Sequence, residues 1–316
     1  MMSNRTSIAN LILYTLCISC TSGCSLFESK AEAEKPAGPP LEYLGAWGAK
    51  GDGPGRLQDP ASIATDKIGN VYIVDAGTRF VHKFGPTGKP LLSFQEDSLK
   101  HPQSIAVDLE GAIYVTDPVR KSVFVCLPSG ERDRFRELHL RTHSGKENVI
   151  DVAVADDGLI YVLDSDADKI SAFNPRFRLA LSWQPREDAP DSKGRPSAIA
   201  IGTDTSVYVA DPGSNRILRF TRDGHYLSEI RPGATGNGPR LSSEFAVTTN
   251  YIFAMDADGR MLHVWSIDGT PKLEMDLAPE LGQASRPAPP LAISPRGELL
   301  VLDEPEARVL RYRINF

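Results

Sequence analysis

Residues 195–230 read RPSAIAIGTDTSVYVADPGSNRILRFTRDGHYLSEI, a stretch of four short apolar runs separated by turn residues. The runs are rich in β-branched and aromatic residues, and the separators are Gly, Asp, Asn and Pro, which is typical of strands joined by tight turns. The stretch therefore predicts four consecutive strands, at Ala198–Ile201, Val207–Ala210, Ile217–Phe220 and Tyr226–Ile230. Such a meander has two apolar faces, so the rest of the chain must supply neighbours that cover them.

The same unit recurs along the chain, and the Asp that ends its second strand marks each copy. These residues are Asp75, Asp117, Asp164, Asp211, Asp256 and Asp303, spaced by 42, 47, 47, 45 and 47 residues. Four strands in a period of this size indicate one blade of a β-propeller. Each second strand is apolar throughout, as in VYIVD and IYVTD, which indicates a sheet covered on both faces. The sequence predicts an all-β, six-bladed propeller of four-stranded antiparallel blades over residues 41–316.

The last copy of the repeat is incomplete. It occupies Leu291–Phe316 and ends after its third strand. A matching strand is available at the other end of the propeller, at Leu41–Trp47. Because pairing this strand beside Val309–Ile314 would remove an open sheet edge, we predict a ring that is closed by an N-terminal strand.

Two copies of the unit resemble NHL repeats. The two copies are Gly48–Phe84 and Arg195–Phe220. In each, Pro, two further residues and Ile-Ala are followed by a turn that contains Gly. An apolar-Tyr-apolar strand that ends in Asp comes next, and then Arg and an apolar residue precede an aromatic one. The match is good in the second and third copies and weak in the last two. The resemblance implies a six-bladed propeller and does not imply one function, because some NHL-like propellers bind RNA and others are lyases.

The net charge argues against a nucleic-acid partner, and the length of the chain argues against a need for a cofactor. The formal net charge is −6 and the pI is near 5.6. No basic stripe that could grip phosphates is present, so we expect no nucleic-acid partner. A chain of this length can bury a sizeable core without a cofactor, and we predict no cofactor and a monomeric ring.

Residues 1–24 are typical of an exported precursor rather than of the fold. The apolar run Ile8–Ser19 is too short to span a membrane and reads as a secretory signal. It leads to Ser22-Gly23-Cys24, which resembles a bacterial lipobox, although Thr21 departs from the usual Leu. We predict lipidation at Cys24, with Cys20 as the alternative and ordinary secretion as the rival interpretation. Residues 25–40 are charged and then Pro-rich, which predicts a flexible tether. The expected location is the bacterial cell envelope, periplasmic or associated with the outer membrane.

The sequence carries no clear catalytic constellation. It contains no Ser-His-Asp order, no nucleophile elbow and no Gly-rich phosphate loop ahead of a helix. The NHL-like lyases hold zinc with channel histidines, and of the histidines here only His101 stands directly before an inner strand. The resemblance to sugar-lactonase propellers, which hold a channel metal with acidic ligands, implies Glu244 and Asp151 as candidates. We predict no metal site and a non-enzymatic binding platform; the alternative is a metal-assisted hydrolase or lyase with its site in the channel.

Length variation indicates which face of the ring binds a ligand. The long connections run from the fourth strand of one blade to the first strand of the next, and the hairpins between second and third strands lie on the same face. Around the channel mouth on this face we predict a ligand-binding set of Asp59, His101, Asp151, Arg195 and Glu244. Its mixed charge suits a polar ligand or an envelope protein segment. The alternative is that these residues only cap inner strands.

Overall fold

The computed structural model describes residues 38–95, 99–139, 148–189, 194–232, 238–281 and 288–316. The chain divides into Met1–Ala37 and Gly38–Phe316, and all described residues belong to the second unit. The predicted signal segment, both candidate lipidation sites and most of the predicted tether therefore lie outside the described residues.

Within the described ranges, the strands form six four-stranded antiparallel sheets, which are the blades of a propeller. Blade 1 contains β2 (Pro60–Thr65), β3 (Val71–Asp75), β4 (Phe80–Phe84) and β5 (Pro90–Gln95). Blade 2 contains β6 (Ile105–Val107), β7 (Ile113–Asp117), β8 (Ser122–Cys126) and β9 (Arg132–His139). Blade 3 contains β10 (Val149–Val154), β11 (Ile160–Asp164), β12 (Lys169–Phe173) and β13 (Leu179–Trp183).

The second half of the ring repeats this arrangement. Blade 4 contains β14 (Ala198–Ile201), β15 (Val207–Asp211), β16 (Arg216–Phe220) and β17 (Tyr226–Ile230). Blade 5 contains β18 (Leu241–Val247), β19 (Tyr251–Asp256), β20 (Met261–Ser266) and β21 (Pro271–Asp276). Blade 6 contains β22 (Leu291–Ile293), β23 (Glu298–Asp303), β24 (Arg308–Ile314) and, from the other end of the chain, β1 (Leu41–Trp47). The six-bladed all-β fold predicted from the repeat is confirmed.

The predicted closure of the ring is confirmed, because the N-terminal strand supplies the fourth strand of blade 6. Strand β1 pairs antiparallel with β24 from Leu41 opposite Ile314 to Trp47 opposite Val309. The first strands of neighbouring blades contact one another around the axis, and β2 lies beside β22 where the ring closes. No blade in the described chain therefore needs an external strand to complete it.

The core consists of six apolar clusters, each lying between two neighbouring blades. Between blades 6 and 1, for example, Ile63 and Ile73 pack with Leu300 and Leu302. Second strands such as β3 are buried at every position, because a blade is covered on both faces. This explains why their apolar residues run continuously instead of alternating.

Aromatic residues on outer strands fix the rim by packing on turn glycines of the next blade. Trp183 of β13 lies against Gly224, and Trp47 of β1 lies against Gly88. Each glycine has a φ of +87°, which other residues rarely adopt. A Cβ added at Gly224 would lie only 2.6 Å from Cδ2 of the indole. The turns therefore need glycine for both backbone conformation and space.

Two short helices lie in connections that the sequence predicted as loops. Helix α1 (Pro185–Asp188) follows blade 3 and begins with a proline, which suits a first helical position. Helix α2 (Ala278–Leu281) follows blade 5 and buries Leu281 against the core between blades 5 and 6. Among the described residues, no helix has the length and apolar character needed to cross a membrane.

Candidate functional site

In blades 1 and 2, the Asp that ends the second strand positions the residues at the channel entrance. Oδ2 of Asp75 accepts hydrogen bonds from the backbone N–H groups of Gln58 (2.6 Å) and Asp59 (3.2 Å). In the next blade, Oδ2 of Asp117 accepts from the N–H of His101 at 3.2 Å in the same way. These bonds tie the loop that precedes the first strand to the end of the second strand. A structural residue of the repeat thus holds Asp59 and His101 at the mouth of the channel.

In blades 4 and 6 this Asp pairs with a base across the hairpin. Arg216 is fully buried, and its Nε lies 3.1 Å from Oδ2 of Asp211 while its Nη1 lies 2.5 Å from Oε2 of Glu229. Nε of Arg308 lies 2.8 Å from Oδ2 of Asp303. The guanidinium bonds satisfy carboxylates that would otherwise be buried without a counter-charge.

An axial cavity of about 670 Å³, open to solvent, lies at the centre of the ring. Its wall is formed by the first strands of all six blades. Alanine occupies the second position of the predicted inner-strand motif in every blade, and five of these residues line the wall: Ala64, Ala106, Ala153, Ala200 and Ala246. These small side chains leave space at the axis of the ring. Small ligands bind in concave spaces of this kind.

The titratable groups of the wall are almost all acidic. They are Asp59 and His101 at the mouth, Asp151 on β10, Glu244 on β18, and Glu304 in the β23–β24 hairpin. Among the described residues, the wall contains no lysine and no arginine. The ring therefore gathers four carboxyl groups around one cavity without a strong base among them.

Asp151 joins the first strands of three neighbouring blades. Its Oδ1 accepts from Oγ of Ser104 (2.5 Å) and from the N–H of Val152 (2.9 Å), and its Oδ2 accepts from the N–H of Ile199 (2.8 Å). Ser104 precedes β6 and Ile199 lies on β14, so one carboxyl bridges blades 2, 3 and 4 at the axis. These bonds occupy much of its acceptor capacity and hold the carboxyl in place.

Glu244 is presented by an irregular start of β18. The register with β19 shifts between Leu241 and Phe245, and a shift of this kind turns side chains away from the regular alternation. Oγ of Ser242 accepts from the N–H of Glu244 at 3.0 Å and stabilises the irregular turn. The carboxyl itself has one hydrogen bond to a described residue, between its Oε1 and Oγ of Ser243 at 3.3 Å. Glu244 is one of the residues that line the cavity.

The three inner carboxyls hold their protons more tightly than free carboxyls do. Burial raises the pKa of Asp151 to about 6, although its hydrogen bonds act in the opposite direction. Burial and the nearby charge of Asp151 raise the pKa of Glu244 to about 8. Burial, with the charges of Asp59 and Asp303, raises the pKa of Glu304 to about 7. Each residue is half-buried, and burial is the largest cause of all three pKa shifts.

The structure brings together four of the five residues predicted for the site. Asp59, His101, Asp151 and Glu244 line the cavity. Arg195 does not; its Nη1 lies 2.5 Å from Oδ1 of Asp166, and the two side chains are 62% and 41% exposed. The expected mixture of charges is therefore absent from the described wall, which is predominantly acidic.

Sequence reasoning missed Glu304, although the repeat contained a signal for it. Glu304 directly follows the Asp of the sixth second strand, where the other copies carry Ala76, Pro118, Ser165, Pro212 and Ala257. Ala76 also lines the cavity, so this position of the repeat faces the axis in at least two blades. A comparison of the repeats at that column would have singled out the one acidic residue.

The histidines do not assemble into a metal centre in the described part of the chain. His82 and His263 lie on third strands and are buried in the blades away from the cavity. Across the described ranges, no group of three or more His, Cys, Asp or Glu residues has the arrangement to hold a metal ion. The four carboxyl groups of the wall are suited to attracting a ligand electrostatically and to exchanging protons with it.

Comparison with known proteins identifies the architecture. No protein-family model matches the chain. No curated protein matches it either. Among solved structures, a streptogramin B lyase superposes with a TM-score of 0.58 at 14% identity, covering 87% of this chain and 97% of that one.

The chain is a six-bladed β-propeller. A catalytically inactive virginiamycin B lyase from Staphylococcus aureus, solved with quinupristin, superposes at a TM-score of 0.57 and 14% identity, covering 87% of this chain and 89% of that one. The Cps50 (Swd1) β-propeller domain of Myceliophteria thermophila superposes at 0.61 and 11% identity, covering 87% of this chain and 100% of that one. At these identities the likeness shows the fold alone, and the fold is common to proteins of unrelated function.

Proposed function

We propose that this protein is a binding propeller of NHL-repeat type, tethered by a lipid anchor to a membrane of the bacterial envelope, and that it binds a polar ligand in its axial cavity. The observation that carries the binding role is the acidic wall of that cavity. It gathers Asp59, Asp151, Glu244 and Glu304, and its described part includes no lysine or arginine. Carboxyls without counter-charge are costly inside a protein, so their retention favours a function over a purely structural role.

The tether is supported by the N-terminal sequence. A short apolar run leads to Ser22-Gly23-Cys24, and a polar, Pro-rich stretch separates this site from β1. A lipoprotein cysteine carries more than one acyl chain, which is what stable anchoring requires. The tether would leave the ring free to present its cavity in the envelope.

Cell fractionation tests the anchor. Wild type, Cys24→Ala and Cys20→Ala are expressed in the same bacterial host, and membrane and soluble fractions are compared. We expect the wild type in membranes and the Cys24→Ala protein unprocessed or released. Wild-type fractionation for both variants contradicts the lipobox interpretation.

A thermal-shift panel tests the cavity. The panel contains neutral peptidoglycan saccharides, acidic peptides, basic peptides and primary amines, and the matched variant is Ala200→Leu, which places a larger side chain in the wall. At least one class should raise the melting temperature of the wild type and fail to do so for Ala200→Leu. A shift that persists in the variant, or no shift with any class, contradicts a binding site in the cavity.

A second candidate function is that of a hydrolase or lyase. The observation favouring it is that Glu244 and Glu304 have pKa values raised to about 8 and about 7, which suits proton transfer near neutral pH. A mechanism would also need a group that stabilises developing negative charge, and the described wall contains no strong cation to supply it. Turnover of a panel ligand that is lost in Glu244→Gln would favour this candidate over simple binding.

A further inference from the structure

We propose that the ligand of the axial cavity is an organic cation, whose primary ammonium group is held between Glu244 and Glu304. This inference rests on the proposed binding function of the cavity and specifies the chemistry of the ligand. Three observations support it: the charge of the wall, the incomplete hydrogen bonding of one carboxyl, and the finding that the described acidic groups do not converge as metal ligands do.

The first observation is the imbalance of charge in the cavity. Four carboxyls face it, and His101 at the mouth is the one basic side chain in its described wall. The neighbouring bases are engaged elsewhere, since the exposed Arg195 pairs with Asp166 and Arg308 pairs with Asp303. Low-dielectric walls strengthen the field of like charges in a cleft, so a cation would be attracted and an anion repelled.

The second observation is the incomplete bonding of Glu244. Asp151 has three hydrogen bonds from its own ring, whereas Glu244 has one contact to a described residue, the 3.3 Å bond to Ser243. An ammonium group has three donors and no acceptor, so it matches a wall whose carboxyls need donors. Glu244 and Glu304 line the same cavity and repel each other electrostatically, so one ammonium group could neutralise the pair.

The third observation separates an organic cation from a metal ion. A metal ion needs several oxygen or nitrogen ligands converging within about 2.0–2.6 Å of one point. Among the described residues the acidic groups do not converge in this way. They instead line a cavity of about 670 Å³, a volume within the range of pockets that bind small organic molecules.

The groups that face Glu244 predict how binding depends on pH. They are Asp151 from β10 and Glu304 from the β23–β24 hairpin. The first strands beside β18, which are β14 and β22, carry no titratable residue. Strand β15, which also contacts β18, ends in Asp211, and that carboxylate is paired with Arg216; the partner strand β19 ends in Asp256, which bonds backbone N–H groups.

Since these carboxyls must release their protons to bind an ammonium group, affinity should increase as the pH rises. The pKa of Glu244 is raised to about 8, while a primary amine keeps its charge well above that pH. The ionised fraction of a carboxyl with a pKa of about 8 rises from about 1% at pH 6 to about 76% at pH 8.5, so we expect affinity to rise by well over tenfold across this range. A neutral ligand would show no such increase.

Isothermal titration calorimetry with the ring tests the proposal. The probe is 1,5-diaminopentane, and 1,5-pentanediol is the uncharged control of the same length. Glu244→Gln keeps the shape of the side chain and removes its charge. Glu131→Gln, at an exposed turn between β8 and β9, is the matched control. We expect binding of the diamine only, and a loss of about tenfold or more in Glu244→Gln, as for one buried charge-assisted hydrogen bond.

The outcomes separate this inference from the proposed function. Diamine binding that is weakened by Glu244→Gln, unchanged by Glu131→Gln and stronger at pH 8.5 supports the inference. Equal affinity for diamine and diol, or no heat with the diamine, overturns it. If the diamine fails but a saccharide or acidic peptide shifts the melting temperature in an Ala200-dependent way, the cavity still binds a ligand and only the cationic class is wrong. Titration with calcium and zinc salts completes the test, because tight metal binding without diamine binding also overturns it.

Discussion

Replacing Glu244 with glutamine should stabilise the ring at alkaline pH and have little effect at acid pH. The pKa of this carboxyl is raised from 4.5 to about 8 by burial and by Asp151. Below pH 4.5 the folded and unfolded states both hold the proton, so the group costs nothing. Between pH 4.5 and 8 the unfolded chain releases the proton while the folded ring retains it, and stability falls as the pH rises. Above pH 8 both states are ionised and the cost stays constant.

The size of the effect follows from the same linkage. Each pH unit in this window is worth about 1.36 kcal/mol, so the limit for the wild type is about 5 kcal/mol. Glu244 is only half-buried, so solvent screening reduces the cost of its ionisation, and Asp151 and Glu304 can take up protons in its place. We therefore expect Glu244→Gln to gain about 2 kcal/mol relative to wild type between pH 5 and pH 9.

Urea unfolding at several pH values between 5 and 9 measures this difference. Fluorescence of Trp47, Trp183 and Trp265 reports the transition, since all three tryptophans lie in strands of the blades. Glu131→Gln, which changes an exposed carboxyl, should follow the wild type at every pH. A stability difference between Glu244→Gln and wild type that is the same at pH 5 and pH 9 would refute the reasoning about the buried carboxyl.

Three further changes test the fold by thermal and urea unfolding. A chain that begins at Gly48 lacks β1 and should melt about 10 °C lower than one beginning at residue 38, because an edge and several apolar side chains become exposed. Arg216→Met should cost about 3–5 kcal/mol by leaving Asp211 buried without its guanidinium, and adding Asp211→Asn should recover part of the loss. Gly224→Ala should cost more than about 1 kcal/mol, whereas Gly53→Ala, with open space around its Cα, should be nearly neutral. Equal melting of the two chain lengths, or equal effects of the two glycine changes, would contradict the packing described for the ring.

Most of the architecture could be predicted because its signals are local. The six Asp-terminated second strands mark the blades, and the gap after Val309–Ile314 indicates closure by Leu41–Trp47. Turn residues and continuous apolar runs report on the strands in which they occur. The short helices α1 and α2 were not predicted, because four residues are too few to show a helical period.

The candidate site was only partly predictable, because the sequence does not show which way a long side chain points. Asp59 and His101 could be placed at the mouth because the repeat itself anchors their backbone. Arg195 occupies a corresponding position in its blade, yet it pairs with the exposed Asp166 and does not line the cavity. A long flexible side chain can turn towards a nearby opposite charge. Here that charge is the carboxylate of Asp166, which belongs to a hairpin of the preceding blade.

The sequence by itself determined the number of blades, the order of the strands and the closure of the ring, because these depend on periodicity and on turn chemistry within each repeat. Only the tertiary structure decided that Asp151, Glu244 and Glu304, which lie far apart in the chain, share one cavity without a strong base in its described wall. Their pKa values depend on burial and on one another, and both are properties of the closed ring. No single repeat contains that information, because each contributes at most one of these carboxyls to the axis.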